Sequence, residues 1–359
     1  MVALTNYFVD PAGGTDDVAA GRGASAGDPW ASTQWALDHI TSGAGGDQIN
    51  VKAGTADVLT AALSKTTYGV PTAAKPLVFR GYTAAANDGG RGVITGVANS
   101  VATIDDSGWS YLSSYDMDWY AGNVGTYGWR AGVVSYCENS TFTTTTAGHA
   151  CANGSAYCSF YNCAFYGGTL RALYLQSFGT WADNCYIENL GVGDYALLFG
   201  GRIRLTNSIV NVSGTTGGVW LNGDGMAIQN CSIISASGSG KGINAPTNGS
   251  HAMINNLVEG FTSGTGIVGT KLKRLSHNSV YNCGTAYTLT DNIVAEQNET
   301  LGESPYAKTG ANTWGNMRAY FEPKNVGDVW GGSYQSPNRD RGSIQHAAAG
   351  GGSGLFIPF

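Results

Sequence analysis

Three Asn-Cys pairs stand out among the residues able to do chemistry: Asn162-Cys163, Asn184-Cys185 and Asn230-Cys231. Seven cysteines occur in all, at 137, 151, 158, 163, 185, 231 and 283. A zinc site wants thiolates and imidazoles at short fixed spacings, and a disulfide framework wants an even count. This chain has an odd count, no Cys-x-x-Cys pair and no His at ligand spacing. The cysteines therefore read as free, small, buried side chains, and neither a metal nor a cofactor is expected. His149, His251 and His277 have no nucleophile beside them in sequence, which disfavours a catalytic triad. The segment DPAGGTDD offers Asp10, Asp16 and Asp17 to a calcium ion, with a solvated turn as the simpler reading.

The elements that position these residues follow from a repeat. Aligned on the Asn, the series runs Asn139, Asn162, Asn184, Asn207, Asn230, Asn255, Asn278, at intervals of 23, 22, 23, 23, 25 and 23 residues. Asn256 is the alternative to Asn255, disfavoured because it would put Glu259 in an apolar column. Two positions before each Asn, and three after it, the residues are mostly apolar. The next residue is always small or mildly polar: Ser140, Cys163, Cys185, Ser208, Cys231, Asn256, Ser279. Alternation on both sides predicts two short strands with an Asn corner between them, since Asn tolerates the left-handed conformation.

Further apolar bursts, such as ALYLQ, ALLFG and GVWLN, supply a third strand per coil. Three short strands in a 22–25-residue period predict an all-β parallel β-helix. Neighbouring coils would stack about 4.8 Å apart. The 54 glycines and 12% charged residues suit a turn-rich β protein. Residues 75–83, 92–97 and 113–122 read as earlier coils, with Asp118 at a corner. ASTQWALDHI (31–40) reads as a short cap helix with Ser32 or Thr33 as N-cap. The expected organisation is a cap and first strand over 1–60, coils over 61–300, and an irregular cap with a flexible apolar tail over 301–359.

On this frame, Arg202 and Arg204 point outward from one strand, and Lys271 and Lys273 from another, with Arg274 adjacent. Arg202 and Lys273 share one column position, three coils or about 14 Å apart. Together these five form a candidate basic strip for an anionic glycan or an acidic neighbour. No two acids are expected to stack: Asp183 lies one place before its Asn, Asp224 six before, and Glu188 and Asp194 lie in turns. The doublet Asp105-Asp106 lies in the irregular N-terminal part. No catalytic residue is assigned.

The segments YFVDPAGGTDD…GDQINVKAGT (7–55) and NRDRGSIQ (338–345) resemble the opening and closing segments of right-handed parallel β-helix proteins of the pectate-lyase-like superfamily. The resemblance implies a right-handed single-stranded coil. For function it is broad, since the superfamily includes polysaccharide lyases, hydrolases, epimerases, phage tailspikes and non-catalytic virion parts. The net charge of −6 argues against nucleic acid as main partner. No run of 18 apolar residues predicts a membrane span. MVALTNYFVDPAGG lacks a secretory signal pattern, so synthesis in a host cytoplasm is expected.

The expected function is a non-catalytic phage virion component, a capsid decoration (cement) protein or a tail-associated β-helix. Its partners would be itself, as a homotrimer, and other virion proteins such as the major capsid protein. The terminal residues Leu355, Phe356, Ile357 and Phe359 would dock into a neighbour. The alternative is a polysaccharide lyase or depolymerase that binds an anionic surface glycan on the outer face of the coil.

Overall fold

The computed structural model describes residues 4–40, 46–64, 70–99, 101–105, 109–122, 127–145, 152–154, 157–169, 171–175, 178–189, 191, 195–214, 216–246, 249–270, 272–290, 295–296 and 298–302. These form a right-handed parallel β-helix whose strands fall into three sheets, each built from every third strand of the chain from Leu77–Tyr82 onward. One coil consists of Thr180–Asp183, Tyr186–Asn189 and Tyr195–Phe199; the next consists of Ile203–Thr206, Ile209–Val212 and Gly217–Leu221. Corresponding strands of successive coils pair in parallel.

Each sheet sends one row inward. In the first sheet the row is Phe160, Ala182, Leu205, Ile228, Met253 and Leu275, in consecutive register. In the second it is Phe142, Phe165, Ile187, Val210, Ile233 and Val258. In the third it runs from Leu173 through Leu197, Val219 and Ile243 to Ile267. All are fully buried, and each large aliphatic or aromatic side chain contributes about 1.5–3 kcal/mol by leaving water. Toward the N-terminal end the filling turns aromatic: the Phe142 and Phe165 rings stack at 5.2 Å, and Trp129 lies 5.0 Å from Phe142. A short helix, Thr33–His39, lies beside the strands Thr5–Val9 and Asp47–Lys52; Ser32 Oγ accepts its Trp35 N–H at 3.3 Å.

The corner between the first and second sheets is left-handed in coil after coil. Asn139, Asn162, Asn184, Asn207, Asn230 and Asn255 have φ between 51° and 55°. Two expectations need correction. At the last aligned position His277 (φ 60°) occupies the corner, and Asn278 is buried one place further on. The inward residue that follows is accordingly Val280, not Tyr281. Upstream, the corner is Asp116 (φ 55°), between the strands Leu112–Tyr115 and Met117–Ala121. Asp118 instead lies on the second strand and pairs with Arg91 at 2.7 Å. His and Asp both tolerate the left-handed region, so neither departure disturbs the coil.

Candidate functional site

Alternation within the first sheet aims two rows at solvent. One row carries Tyr136, Ser159, Trp181 and Arg204, then Ala227 and Ala252 before Arg274. The other carries Arg80, Tyr115, Glu138, Tyr161, Asp183 and Thr206. These side chains hold one another in place. The Arg80 guanidinium lies 4.2 Å over the Tyr115 ring, whose centroid is 5.6 Å from that of Tyr136. Tyr136 donates from its hydroxyl to Glu138 Oε2 at 2.9 Å. Burial and that carboxylate push the Tyr136 phenol well above its ordinary pKa. Further along, Trp181 Nε1 donates to Thr206 Oγ1 at 3.2 Å, and Thr206 Oγ1 donates to Asp183 Oδ1 at 2.5 Å.

Two acids share a register on this face, though not on adjacent coils. Glu138 and Asp183 each precede a corner Asn and share one register, with Tyr161 on the rung between them. Two rungs set their backbones about 9.6 Å apart. The signal was in the sequence as position −1 of two aligned Asn residues.

Along the edge of the same sheet runs a second row of left-handed residues. Tyr111 (φ 54°), Val134 (φ 57°) and Tyr157 (φ 60°) occupy it on successive coils, followed by Gly179 (φ 72°). For a bulky or β-branched residue this conformation costs on the order of 1–3 kcal/mol and tends to persist where function requires it. A Cβ on Gly179 would come within 2.6 Å of the Tyr157 ring, so the ring lies directly over that glycine. Between this edge and the outward row lies a groove of about 340 Å³, lined by Tyr111, Val134, Ser135, Tyr136, Tyr157 and Ser159 among others.

The other two faces differ. On the outside of the second sheet Ala164, Tyr186, Ile209, Ile234 and Leu257 form a separate buried apolar cluster. On the outside of the third, Arg130 and Arg171 lie 5.3 and 5.4 Å over the rings of Tyr127 and Tyr174. There too Asn244 Nδ2 donates to Tyr195 Oη at 2.7 Å, and the Tyr195 and Trp220 rings are 5.3 Å apart.

The predicted basic strip is only partly assembled. Arg204 and Arg274 share a row three rungs apart, about 14 Å, with two alanines between them. Because the last corner is His277, Arg274 and not Lys273 aligns with the earlier coils, so Lys273 does not share the Arg202 position. Arg202 and Lys273 precede the strands Ile203–Thr206 and Arg274–Ser276, and the Arg202 guanidinium sits 5.7 Å over Phe178. Lys271, Leu355, Phe356, Ile357 and Phe359 lie outside the described residues, as do Cys151, His149 and Asp106.

The carboxylates of DPAGGTDD have separate structural partners. Asp10 pairs with Lys52 at 2.7 Å, Asp16 accepts from Ala31 N and Ser32 N, and Asp17 pairs with Arg22 at 2.9 Å. Among the described residues no three His, Cys, Asp or Glu side chains converge as a metal site.

The cysteines pack. Cys163, Cys185 and Cys231 are buried and aim their Sγ atoms at backbone carbonyls, Cys185 at Asp183 O (3.3 Å) and Phe160 O (3.6 Å). Burial pushes the Cys163 and Cys231 thiols up to about 12 and the Cys185 thiol well above its ordinary value, which removes the thiolate a nucleophile or ligand needs.

No protein-family model matches this chain, and no curated protein matches it. Solved structures do. Pectate lyase Pel9A is similar over 96% of this chain and 97% of its own, with a TM-score of 0.58 and 15% identity. A GH136 lacto-N-biosidase from Eubacterium ramulus covers 82% of this chain and 67% of its own (TM-score 0.41, 11% identity). The pectin methylesterase from Aspergillus niger covers 89% and 95% (TM-score 0.39, 10% identity). The likeness to Pel9A is one of fold: this chain has the pectate-lyase-like parallel β-helix.

Proposed function

We propose that the protein binds a carbohydrate chain laid along the outer face of the first sheet, parallel to the coil axis. The observation that carries this reading is the mixed row structure of that face. Aromatic rings that suit the apolar faces of sugars, Tyr115, Tyr136 and Trp181, stand among Arg80, Glu138, Asp183 and Arg204, which suit hydroxyls and carboxylates. The fold shared with pectate lyase Pel9A is consistent with it. Titration with a panel of neutral and acidic polysaccharides tests it: Trp181→Ala or Arg204→Ala should weaken the best binder about tenfold. Binding unchanged in the double variant, or no binding across the panel, overturns it. Cleavage is a separate question, answered by release of reducing ends or unsaturated uronates; Glu138→Gln and Asp183→Asn would each abolish a hydrolysis that used both carboxyls.

The second reading is a virion component of a phage, a decoration protein or tail-associated β-helix that contacts copies of itself and other virion proteins. What favours it is the apolar surface at the edge of the first sheet, where Val133, Val134, Tyr157 and Phe178 are exposed on neighbouring coils. Sedimentation of the purified chain, and its presence or absence in a purified particle, decide between a free glycan binder and an assembled part.

A further inference from the structure

We propose that the stretch 303–359 folds back as a strap over the outer face of the second sheet. The inference is independent of the carbohydrate reading and concerns a different face. The second sheet changes character along the coil. In Gly92–Thr95, Met117–Ala121 and Thr141–Thr144 buried residues alternate with half-buried ones, as in a sheet with one wet face. In Ile209–Val212, Ser232–Ser235 and Leu257–Glu259 every residue is buried. The inward row there is Val210, Ile233 and Val258, so Ile209, Ile234 and Leu257 are covered from the outside.

The described elements packed against these strands are other strands of the coil. They do not supply the cover. The covered row runs in register from Ala164 through Tyr186, Ile209, Ser232 and Leu257 to Ser279, each at most 2% exposed. Five rungs make about 24 Å, which roughly eight extended residues span. Apart from 303–359, the stretches outside the described residues are six residues or fewer, too short to run that far and rejoin the coil. The chain also leaves the coil from this sheet. Its last described strand is Glu299–Leu301, and Leu301 packs against the buried cluster. The stretch 303–359 follows from there.

The composition of that stretch suits the face. Trp314, Met317, Tyr320 and Phe321 bring apolar side chains to the cluster of Tyr186, Ile209, Ile234 and Leu257. Glu259, on the same outer face, is 2% exposed. A carboxylate at that depth requires a cation or hydrogen-bond donors. Glu259 is not without a partner, and the ion pairs among the described residues lie elsewhere. Lys308, Arg318 and Lys324 bring cations within reach of it. The face is buried within a single chain, so the cover is intramolecular. A strap in this place closes the second sheet to any ligand and leaves the first and third faces open.

The test uses the full chain and hydroxyl-radical footprinting read by mass spectrometry. Tyr186 and Leu257 should be oxidised at least tenfold more slowly than the exposed Tyr157 and Phe178, equally in dilute and concentrated protein. In the full-length variant Trp314→Asp/Phe321→Asp, oxidation of Tyr186 and Leu257 should rise tenfold or more. Cys163 and Cys185 should stay shielded from a thiol reagent in that variant, which shows that the coil is kept. A second measurement needs no variant. Trypsin should cut the native chain after Lys308, Arg318 and Lys324 at least tenfold more slowly than the urea-unfolded chain. The proposal is overturned if those three sites are cut equally fast in both, or if the variant leaves Tyr186 and Leu257 protected. It is also overturned if their protection is lost on dilution, which would make a second copy the cover.

Discussion

Asn207 donates from Nδ2 to Asp183 Oδ1 at 2.7 Å, and so interrupts a ladder of corner amides. Asn184 donates to Asn162 Oδ1 at 3.1 Å, Asn230 to Asn207 Oδ1 at 3.2 Å, and Asn255 to Asn230 Oδ1 at 2.9 Å. The corner amide thus does two things: it accepts the left-handed backbone and links its coil to the one below. At Asn207 the second task is transferred to a carboxylate on the outward row of the candidate site.

Separate substitutions should resolve these two roles. Asn207→Ala loses both and should cost about 2 kcal/mol, roughly 1–2 kcal/mol for the left-handed backbone and the remainder for the bond. Asn207→Gly keeps the backbone and should lose less than half as much. Urea denaturation measures both; equal losses would mean that the corner conformation contributes nothing.

The buried column beside the corner predicts a larger effect. Asn278 donates from Nδ2 to Met253 O and Asn298 Oδ1, both at 2.9 Å, and its Oδ1 accepts from Asn256 N and Nδ2 at 3.1 and 2.9 Å. Asn278→Leu is similar in size but strands those partners inside the coil. A loss of about 3 kcal/mol is expected from at least two buried groups left unpaired, read as a lower urea midpoint.

Cys185, by contrast, should be exchangeable. Ser208 occupies the same column one coil on and donates to Thr206 O at 2.6 Å, so Cys185→Ser should change stability by no more than about 1 kcal/mol. In the native protein Cys137, Cys163, Cys185 and Cys231 should resist a thiol reagent at pH 8, because burial holds all four thiols protonated. They should react once urea unfolds the chain, as followed by mass spectrometry.

His251 predicts a pH dependence. It is fully buried, and neither ring nitrogen has a hydrogen-bond partner. Burial lowers its pKa, partly opposed by Asp224. The unfolded imidazole takes up a proton near pH 6.5 and the folded one only at lower pH. Stability conferred by the neutral ring is therefore complete above pH 6.5 and declines as pH falls below it, by up to about 1.4 kcal/mol per pH unit. His251→Phe should flatten that limb of the stability profile; an unaltered limb would locate the pH dependence elsewhere.

The period, the corner and the inward columns were legible in the sequence because a stacked coil repeats one requirement at each rung. The ambiguities arose where two adjacent residues could each meet it. In His277-Asn278 the Asn is the better corner former, yet its amide is more valuable inside, bonded to Asn256 and Asn298, and His takes the corner. At Asp116 and Asp118 the same residue type stood two places apart. The alignment of Glu138 with Asp183 was readable but spread over two coils. The row of Tyr111, Val134 and Tyr157 was not readable, because local propensity argues against a left-handed backbone at each of them. Only the packed coil shows that it is tolerated.

Because each complete coil carries the same three strands, the outer faces behave as a ruler. Neighbours on it are about 23 residues apart in the chain and about 4.8 Å apart in space. Duplicating or deleting one whole coil between Glu138 and Asp183 would move the two carboxyls by one graduation and leave each in its own surroundings. A protein of this construction can change the length of ligand it spans in fixed steps, without redesigning any single contact.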